Sequence, residues 1–253
     1  MPSIPFTSRW LALAMIALPS SLFAATTDTA LPWHDATQMI VVVTPDWDST
    51  DGTLQKFERT GDAWHAVEDA VAISVGRSGA AWGLGLHPAQ TDGPQKREGD
   101  GRSPAGVFAL GDAFGYATTA DTTLPYQAMQ ASSYCMDVPA SPHYNRIVDS
   151  NVVGQDAVEG STEPMRLDLH KNGDPRYQEG WVILHNPDNI PGAGSCIFAH
   201  LWRQPGETTA GCTAMSPSTM QAALAWLKPE ANPVFVLLPE AEYTRLKSDW
   251  QLP

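Results

Sequence analysis

Residues 39–44 read Met-Ile-Val-Val-Val-Thr, an unbroken run of apolar side chains that is mostly β-branched. Such a run favours a buried β-strand, because branched side chains pack well on a pleated sheet and are restricted in a helix. Similar short apolar runs occur at residues 181–185, 196–201 and 233–239. The sequence therefore predicts a protein built around several short buried strands.

Turn signals between these runs support the same conclusion. Thr60-Gly61-Asp62 separates two strand-like segments and indicates a hairpin, and the chain contains 20 Gly and 21 Pro. One helix is clearly indicated: Ser216 caps it, Pro217 fits its first turn, and Pro229 ends it. We therefore expect a mainly β domain, sandwich or barrel-like, with few helices.

The first 24 residues resemble an export signal. Arg9 supplies a positive charge, an apolar stretch follows at residues 10–18, and Ala24 offers a small residue at a cleavage site. The stretch is short for a bilayer span. We expect the mature chain to begin near Ala25, to carry no membrane span and to be periplasmic or secreted; an uncleaved membrane anchor is the alternative.

Composition limits the classes of function. Of the 253 residues, 43% are hydrophobic and 17% are charged, which allows a sizeable core and argues against a disordered chain. The formal net charge of -13 disfavours binding to polyanions, so we expect no nucleic-acid partner.

The spacing of His200 and Cys212 suggests nucleophilic chemistry. His200 ends a predicted strand, and Cys212 follows twelve residues later, just before the capped helix. A thiol becomes a good nucleophile as thiolate, and a neighbouring His can take its proton and later return it. Gly211 and Thr213 flank the thiol, so their backbone groups are candidate oxyanion donors. The alternative is a core histidine and an inert buried thiol.

Four longer segments resemble the L,D-transpeptidase (YkuD-type) family, in particular its exported branch. The resemblance covers about residues 70–240 and implies a mostly β catalytic domain within a single domain of residues 25–253. It also implies that Cys212 attacks a carbonyl of a diaminoacid-containing peptidoglycan stem peptide, with His200 as acid and base. The segments are Gly76–His87, Glu98–Phe108, Gly194–Trp202 and Thr209–Met215.

The chain departs from the common sequence pattern of the family next to Cys212, the expected nucleophile. Ala210 stands where the pattern has a second His, and Ala214 stands where it has an Arg. Without that Arg, the substrate carboxylate needs another partner. The candidate substrate-binding residues are His185 and Arg203, with Lys96 and Arg102 as further possible replacements for the Arg.

Three cysteines in an exported chain leave at least one thiol unpaired. A Cys135–Cys196 disulfide would leave Cys212 free, as the mechanism requires. Two unpaired thiols are the alternative, since the sequence does not give their separation.

We therefore expect a peptidoglycan L,D-transpeptidase or L,D-carboxypeptidase that acts on stem peptides without cofactor or metal. A binding or scaffolding module of the same fold is the alternative, and a zinc hydrolase using His185, Cys196, His200 and Cys212 is a weaker one. Thiol reactivity separates the first two, since an activated Cys212 is expected to react with iodoacetamide well below about pH 8.5.

Overall fold

Eight strands close into a β-barrel in the computed structural model, which describes residues 1–5 and 30–253. Of the described residues, 32% lie in strands and 14% in helices, so the prediction of a mainly β, barrel-like domain is confirmed. The predicted export signal lies outside the described residues, apart from residues 1–5. Residues 31–253 form one compact unit.

The described strands are β1 (Gln38–Thr44), β2 (Asp51–Thr60), β3 (Ala63–Ala66), β4 (Val71–Ser74), β5 (Ala80–Trp82), β6 (Ser103–Gly115), β7 (Tyr126–Ala128), β8 (Ser133–Cys135), β9 (Ile147–Asp149), β10 (Glu163–Pro164), β11 (Glu179–Ile183), β12 (Phe198–Leu201), β13 (Thr213–Met215) and β14 (Val234–Pro239). The α-helices in the same part of the chain are α1 (Ser150–Val153), α2 (Leu167–His170), α3 (Pro217–Trp226) and α4 (Glu240–Leu246). Two short 3₁₀ turns lie at Gln155–Val158 and Pro229–Ala231.

The barrel strands follow the order β1-β14-β6-β11-β12-β13-β4-β2, and β2 pairs back with β1. Two of these pairs, β1–β14 and β12–β13, are parallel. Strand β14 is buried along its whole length, and α4 packs on β1 and β14. This explains why residues 39–44 and 234–239 are continuously apolar, because both faces of these strands are covered.

The predicted local elements agree well with the structure. Helix α3 begins after Ser216, whose hydroxyl accepts a hydrogen bond from the Thr219 N–H at 3.1 Å, but the helix ends at Trp226, before Pro229. The hairpin of β2 and β3 turns at Gly61, whose φ of +60° suits glycine. No described helix has the length and apolarity needed to cross a membrane.

Strand β12 separates two cores, because successive side chains of a strand point to opposite faces. Ala199 and Leu201 belong to the larger of two apolar core clusters. Phe198 belongs to a second apolar cluster, and the His200 ring packs against Tyr177 of that cluster with centroids 5.3 Å apart. Phe198 and His200 therefore lie on the opposite face of β12, here called the outer wall.

Residues 129–178, here called the cover, lie over this outer wall. The cover contains a separate three-stranded sheet in the order β10-β8-β9. Its side chains Met129, Met165 and Tyr177 pack in the second apolar cluster with Phe198 and Cys212. A disulfide between Cys135 of β8 and Cys196, just before β12, joins the cover to the barrel covalently. The predicted Cys135–Cys196 pairing is thus confirmed.

Candidate active site

A cavity of about 350 Å³ lies between the barrel wall and the cover, and both Cys212 and His200 line it. His200 lies in β12, and Cys212 immediately precedes β13, the parallel neighbour of β12. The structure therefore brings the two predicted catalytic side chains to one enclosed space. The charged residues that line the same cavity are Arg77, Lys96, Glu98, Asp137, Glu163, Lys171 and Arg176.

Cys212 is the cysteine that remains outside the disulfide, and it is 7% exposed. Its sulfur accepts a hydrogen bond from the Phe198 N–H at 3.4 Å, and its thiol donates to the Cys196 carbonyl at 3.5 Å. The Cys212 carbonyl accepts hydrogen bonds from the hydroxyls of Ser103 at 2.9 Å and Thr209 at 2.6 Å. Backbone and thiol are therefore both held in place.

The hydrogen bond of His200 fixes the tautomer of its ring. Nδ1 lies 2.8 Å from the Leu201 carbonyl, which can only accept, so Nδ1 carries the hydrogen. Nε2 then bears the lone pair, as a general base requires. Tyr177 packs against the ring with an interplanar angle of 69° and restricts its rotation.

Burial keeps both members of the pair neutral at rest. Burial lowers the pKa of His200 to about 4. Burial, followed by the negative charge of Glu163, raises the pKa of Cys212 to about 12. A resting thiolate at pH 7 is therefore disfavoured, and the expectation of rapid labelling well below about pH 8.5 does not fit this environment. If the sulfur acts as a nucleophile, its proton would have to be transferred during the attack.

We expect His200 and His185 to stay uncharged at pH 5, because burial lowers the pKa of each to about 4. The unfolded chain binds these protons near pH 6.5 and the folded chain does not, so stability falls as pH drops from 6.5 to 4. Each histidine contributes about 3 kcal/mol to this loss. Imidazole ¹⁵N shifts recorded across this range test the prediction, with the denatured protein as reference. Titration of both rings near pH 6.5 would contradict it.

The two predicted backbone donors are placed differently from expectation. Gly211 lines the cavity, but its N–H already donates to the Thr209 hydroxyl at 3.0 Å. Thr213 is the first residue of β13, pairs with Ala199 and is 1% exposed. The structure does not place Thr213 among the residues that line the cavity. In the resting geometry, the structure therefore does not support the prediction that Gly211 or Thr213 is an oxyanion donor.

His185 holds two backbone segments together, and the structure does not support its prediction as a substrate-binding residue. Its Nδ1 accepts from the Leu84 N–H at 3.2 Å, and its Nε2 donates to the Ala193 carbonyl at 3.0 Å. The ring centroids of His185 and Phe108 are 6.0 Å apart, and His185 is 2% exposed. Both nitrogens are therefore used by the backbone, away from the cavity.

Arg203 is also placed outside the cavity lining. It is exposed and pairs with Glu207, so the structure does not support its prediction as a substrate-binding residue. Arg102 donates to the Trp47 and Ala80 carbonyls and pairs with Asp48 at 2.7 Å.

Lys96 is the candidate that does line the cavity, where it forms a 2.6 Å ion pair with Asp100. Sequence reasoning missed Arg77, Lys171 and Arg176, three further cationic residues of the lining. Lys171 and Arg176 belong to the cover, whose sequence carries little periodicity. The sequence feature that could have indicated these residues is the cluster of acidic and basic side chains at residues 163–176.

The arrangement of the proposed zinc ligands does not fit a zinc site. Cys196 is consumed by the disulfide, and both nitrogens of His185 are hydrogen-bonded to backbone groups. Within residues 1–5 and 30–253, no group of three or more His, Cys, Asp or Glu side chains is arranged to hold a metal. The hypothesis that these residues together form a zinc hydrolase site is therefore wrong.

Fold and site together define a class of closed β-barrel protein with a buried Cys–His pair under a disulfide-tethered cover. No protein-family model matches the chain, and no curated protein matches it. A solved structure, that of Bdellovibrio bacteriovorus Bd1075, is similar at 12% identity and a TM-score of 0.39. The match covers 85% of this chain and 55% of that chain, so this chain spans about half the length of the other. A likeness at this level carries no argument about function.

Proposed function

We propose that this protein is a cysteine acyltransferase, an L,D-transpeptidase or L,D-carboxypeptidase that acts on peptidoglycan stem peptides. One observation carries the proposal: the unpaired thiol of Cys212 and the imidazole of His200 line one cavity. The volume of about 350 Å³ is in the range of small-molecule sites. The mixed charges of the lining suit a peptide that carries both amines and carboxylates. The substrate class comes from the resemblance of residues 70–240 to the family.

In the first step, the Cys212 thiol gives its proton to Nε2 of His200 while the sulfur attacks the scissile carbonyl. The carbon–nitrogen bond breaks, the imidazolium protonates the leaving amine, and a terminal D-amino acid departs. In the second step, an amine or water attacks the thioester and restores the thiol. Because both groups are neutral at rest, charge develops only during the reaction, on a thiol and an imidazole that are both buried.

We propose the periplasm or the cell exterior as the place of action. The Cys135–Cys196 disulfide is typical of proteins that mature outside the reducing cytosol. Stem peptides are accessible in the same compartments. An export signal in the first 24 residues would deliver the chain there.

Incubation of the mature protein with purified disaccharide tetrapeptides tests this proposal. We expect mass spectrometry to show loss of the terminal D-amino acid, replaced by water or by an added amine. Adding a second D-amino acid separates the acceptors, because exchange products appear only if amines compete with water. Unchanged muropeptides in the presence of folded protein would contradict the proposal.

A binding module is the second candidate. Two observations favour it: burial raises the pKa of the Cys212 thiol to about 12, and Ala214 stands where the family pattern has Arg. This candidate predicts that the protein sediments with intact peptidoglycan sacculi while no acyl group is found on Cys212. Acid-quenched protein from the same incubation, analysed by intact mass, distinguishes the two.

A further inference from the structure

Glu163 is a carboxylate of the cover that faces the catalytic cavity. It lies in β10 directly opposite Cys135 of β8. Cys135 is bonded to Cys196, whose carbonyl accepts the hydrogen bond of the Cys212 thiol. A short path of sheet pairing, disulfide and hydrogen bond therefore fixes the position of Glu163 relative to the sulfur.

The Glu163 carboxylate is only half satisfied by the protein. Oε1 accepts a hydrogen bond from the Tyr177 hydroxyl at 2.5 Å, while Oε2 has no hydrogen-bond donor among the described residues. Neither neighbouring cation forms an ion pair with Glu163: Arg176 pairs with Asp174 at 2.6 Å, and Lys171 donates to the Thr162 carbonyl at 3.3 Å. Burial raises the pKa of Glu163, because a buried carboxylate without a directly paired cation is costly, and a ligand that supplies a cation at Oε2 favours the ionised form and recovers that free energy.

The other two carboxylates of the cavity lining accept more hydrogen bonds from the protein, although Oε1 of Glu98 also has no donor among the described residues. Oε2 of Glu98 accepts hydrogen bonds from the hydroxyls of Tyr144 at 2.5 Å and Ser195 at 2.6 Å. The carboxylate of Asp137 accepts from the Thr162 N–H at 3.0 Å and from its hydroxyl. Glu163 therefore accepts the fewest hydrogen bonds from the protein among the three lining carboxylates.

We propose that Glu163 determines specificity by binding a primary ammonium group of the acyl donor through Oε2. This inference rests on the proposed acyl transfer at Cys212. In a stem peptide, the group of that chemistry is the free side-chain amine of the diamino acid. Glu163 is thus a substrate-binding residue on the cover, whereas the reacting sulfur belongs to the barrel.

A bound ammonium also affects the chemistry of the thiol. The negative charge of Glu163 is, after burial, the largest cause that raises the pKa of Cys212. An ammonium group on Oε2 offsets that charge and eases the development of thiolate. A donor with a free amine is therefore expected to react with both a lower KM and a higher kcat than a donor without one.

The test compares two tetrapeptide donors, one with a free side-chain amine and one with that amine acetylated. We expect the wild-type protein to prefer the free amine about 30-fold or more in kcat/KM, because an enclosed charge pair loses one partner on acetylation. Glu163→Gln keeps an oxygen that accepts from Tyr177 and is expected to reduce the preference to about threefold or less. The matched variant Glu98→Gln changes a carboxylate of the same lining and is expected to keep the preference.

The outcomes separate this inference from the proposed function. Equal use of both donors by the wild-type protein overturns the role of Glu163 and leaves the acyl transfer intact. A preference that survives in Glu163→Gln overturns it as well. Turnover of neither donor by folded wild-type protein overturns the acyl transfer and this inference together. If Glu163→Gln does not fold, the comparison of the two donors with the wild-type protein still tests the role of Glu163.

Discussion

Replacing Cys212 with alanine is expected to reduce the release of the terminal D-amino acid on the order of 10⁴-fold or more, because the nucleophile is lost. In the proposed mechanism the sulfur of Cys212 forms the thioester, and no second free cysteine is found among the described residues. Release is measured by mass spectrometry of muropeptides, and the acyl-enzyme by intact mass after acid quench. Both signals are expected to disappear in the variant.

Two further variants control this result. Cys212→Ser keeps the size of the side chain but is also expected to be inactive, since a hydroxyl is a far weaker nucleophile beside a neutral imidazole. Arg203→Ala removes an exposed charge that pairs with Glu207 outside the cavity lining, and it is expected to change turnover less than about twofold. Activity of Cys212→Ala near that of the wild type would assign the reaction to another group.

The strands could be predicted from the sequence where burial leaves a local pattern. Residues 39–44 and 234–239 are apolar on both faces, and the structure covers both faces. Their parallel pairing, Met39 opposite Val234, joins segments almost 200 residues apart in sequence. No local pattern encodes such a register, so the closure of the barrel could not be deduced from the strands alone.

Only the site residues that belong to the barrel could be predicted from the sequence. His200 and Cys212 are close in sequence. The strand that contains His200 (β12) and the strand that begins after Cys212 (β13) are direct neighbours. Glu163 and Tyr177 reach the cavity through the cover, whose position depends on the disulfide and on apolar packing. For His185, residue type suggested a role in substrate binding but could not reveal that both ring nitrogens bind the backbone.

Removing the disulfide is expected to lower the free energy of unfolding by about 2–4 kcal/mol, since it closes a long loop and restricts the unfolded chain. Its two cysteines are 61 residues apart. The double variant Cys135→Ser, Cys196→Ser is compared with the wild type by urea denaturation. Reducing agent is expected to shift the wild-type midpoint to that of the variant, whereas the variant itself does not respond.

Loss of the disulfide is expected to change activity even under conditions in which the protein remains folded. Without urea, at a temperature where the reduced protein is still folded, the cover is no longer bonded to the strand that carries His200. Glu163, paired opposite Cys135, then loses its fixed distance to the thiol, and the preference for donors with a free amine is expected to fall with it. Cys212→Ala serves as the matched control for stability, because it keeps the disulfide and is expected to retain the full effect of reducing agent on the midpoint. A reduced wild-type protein that keeps both its midpoint and its amine preference would show that packing alone positions the cover.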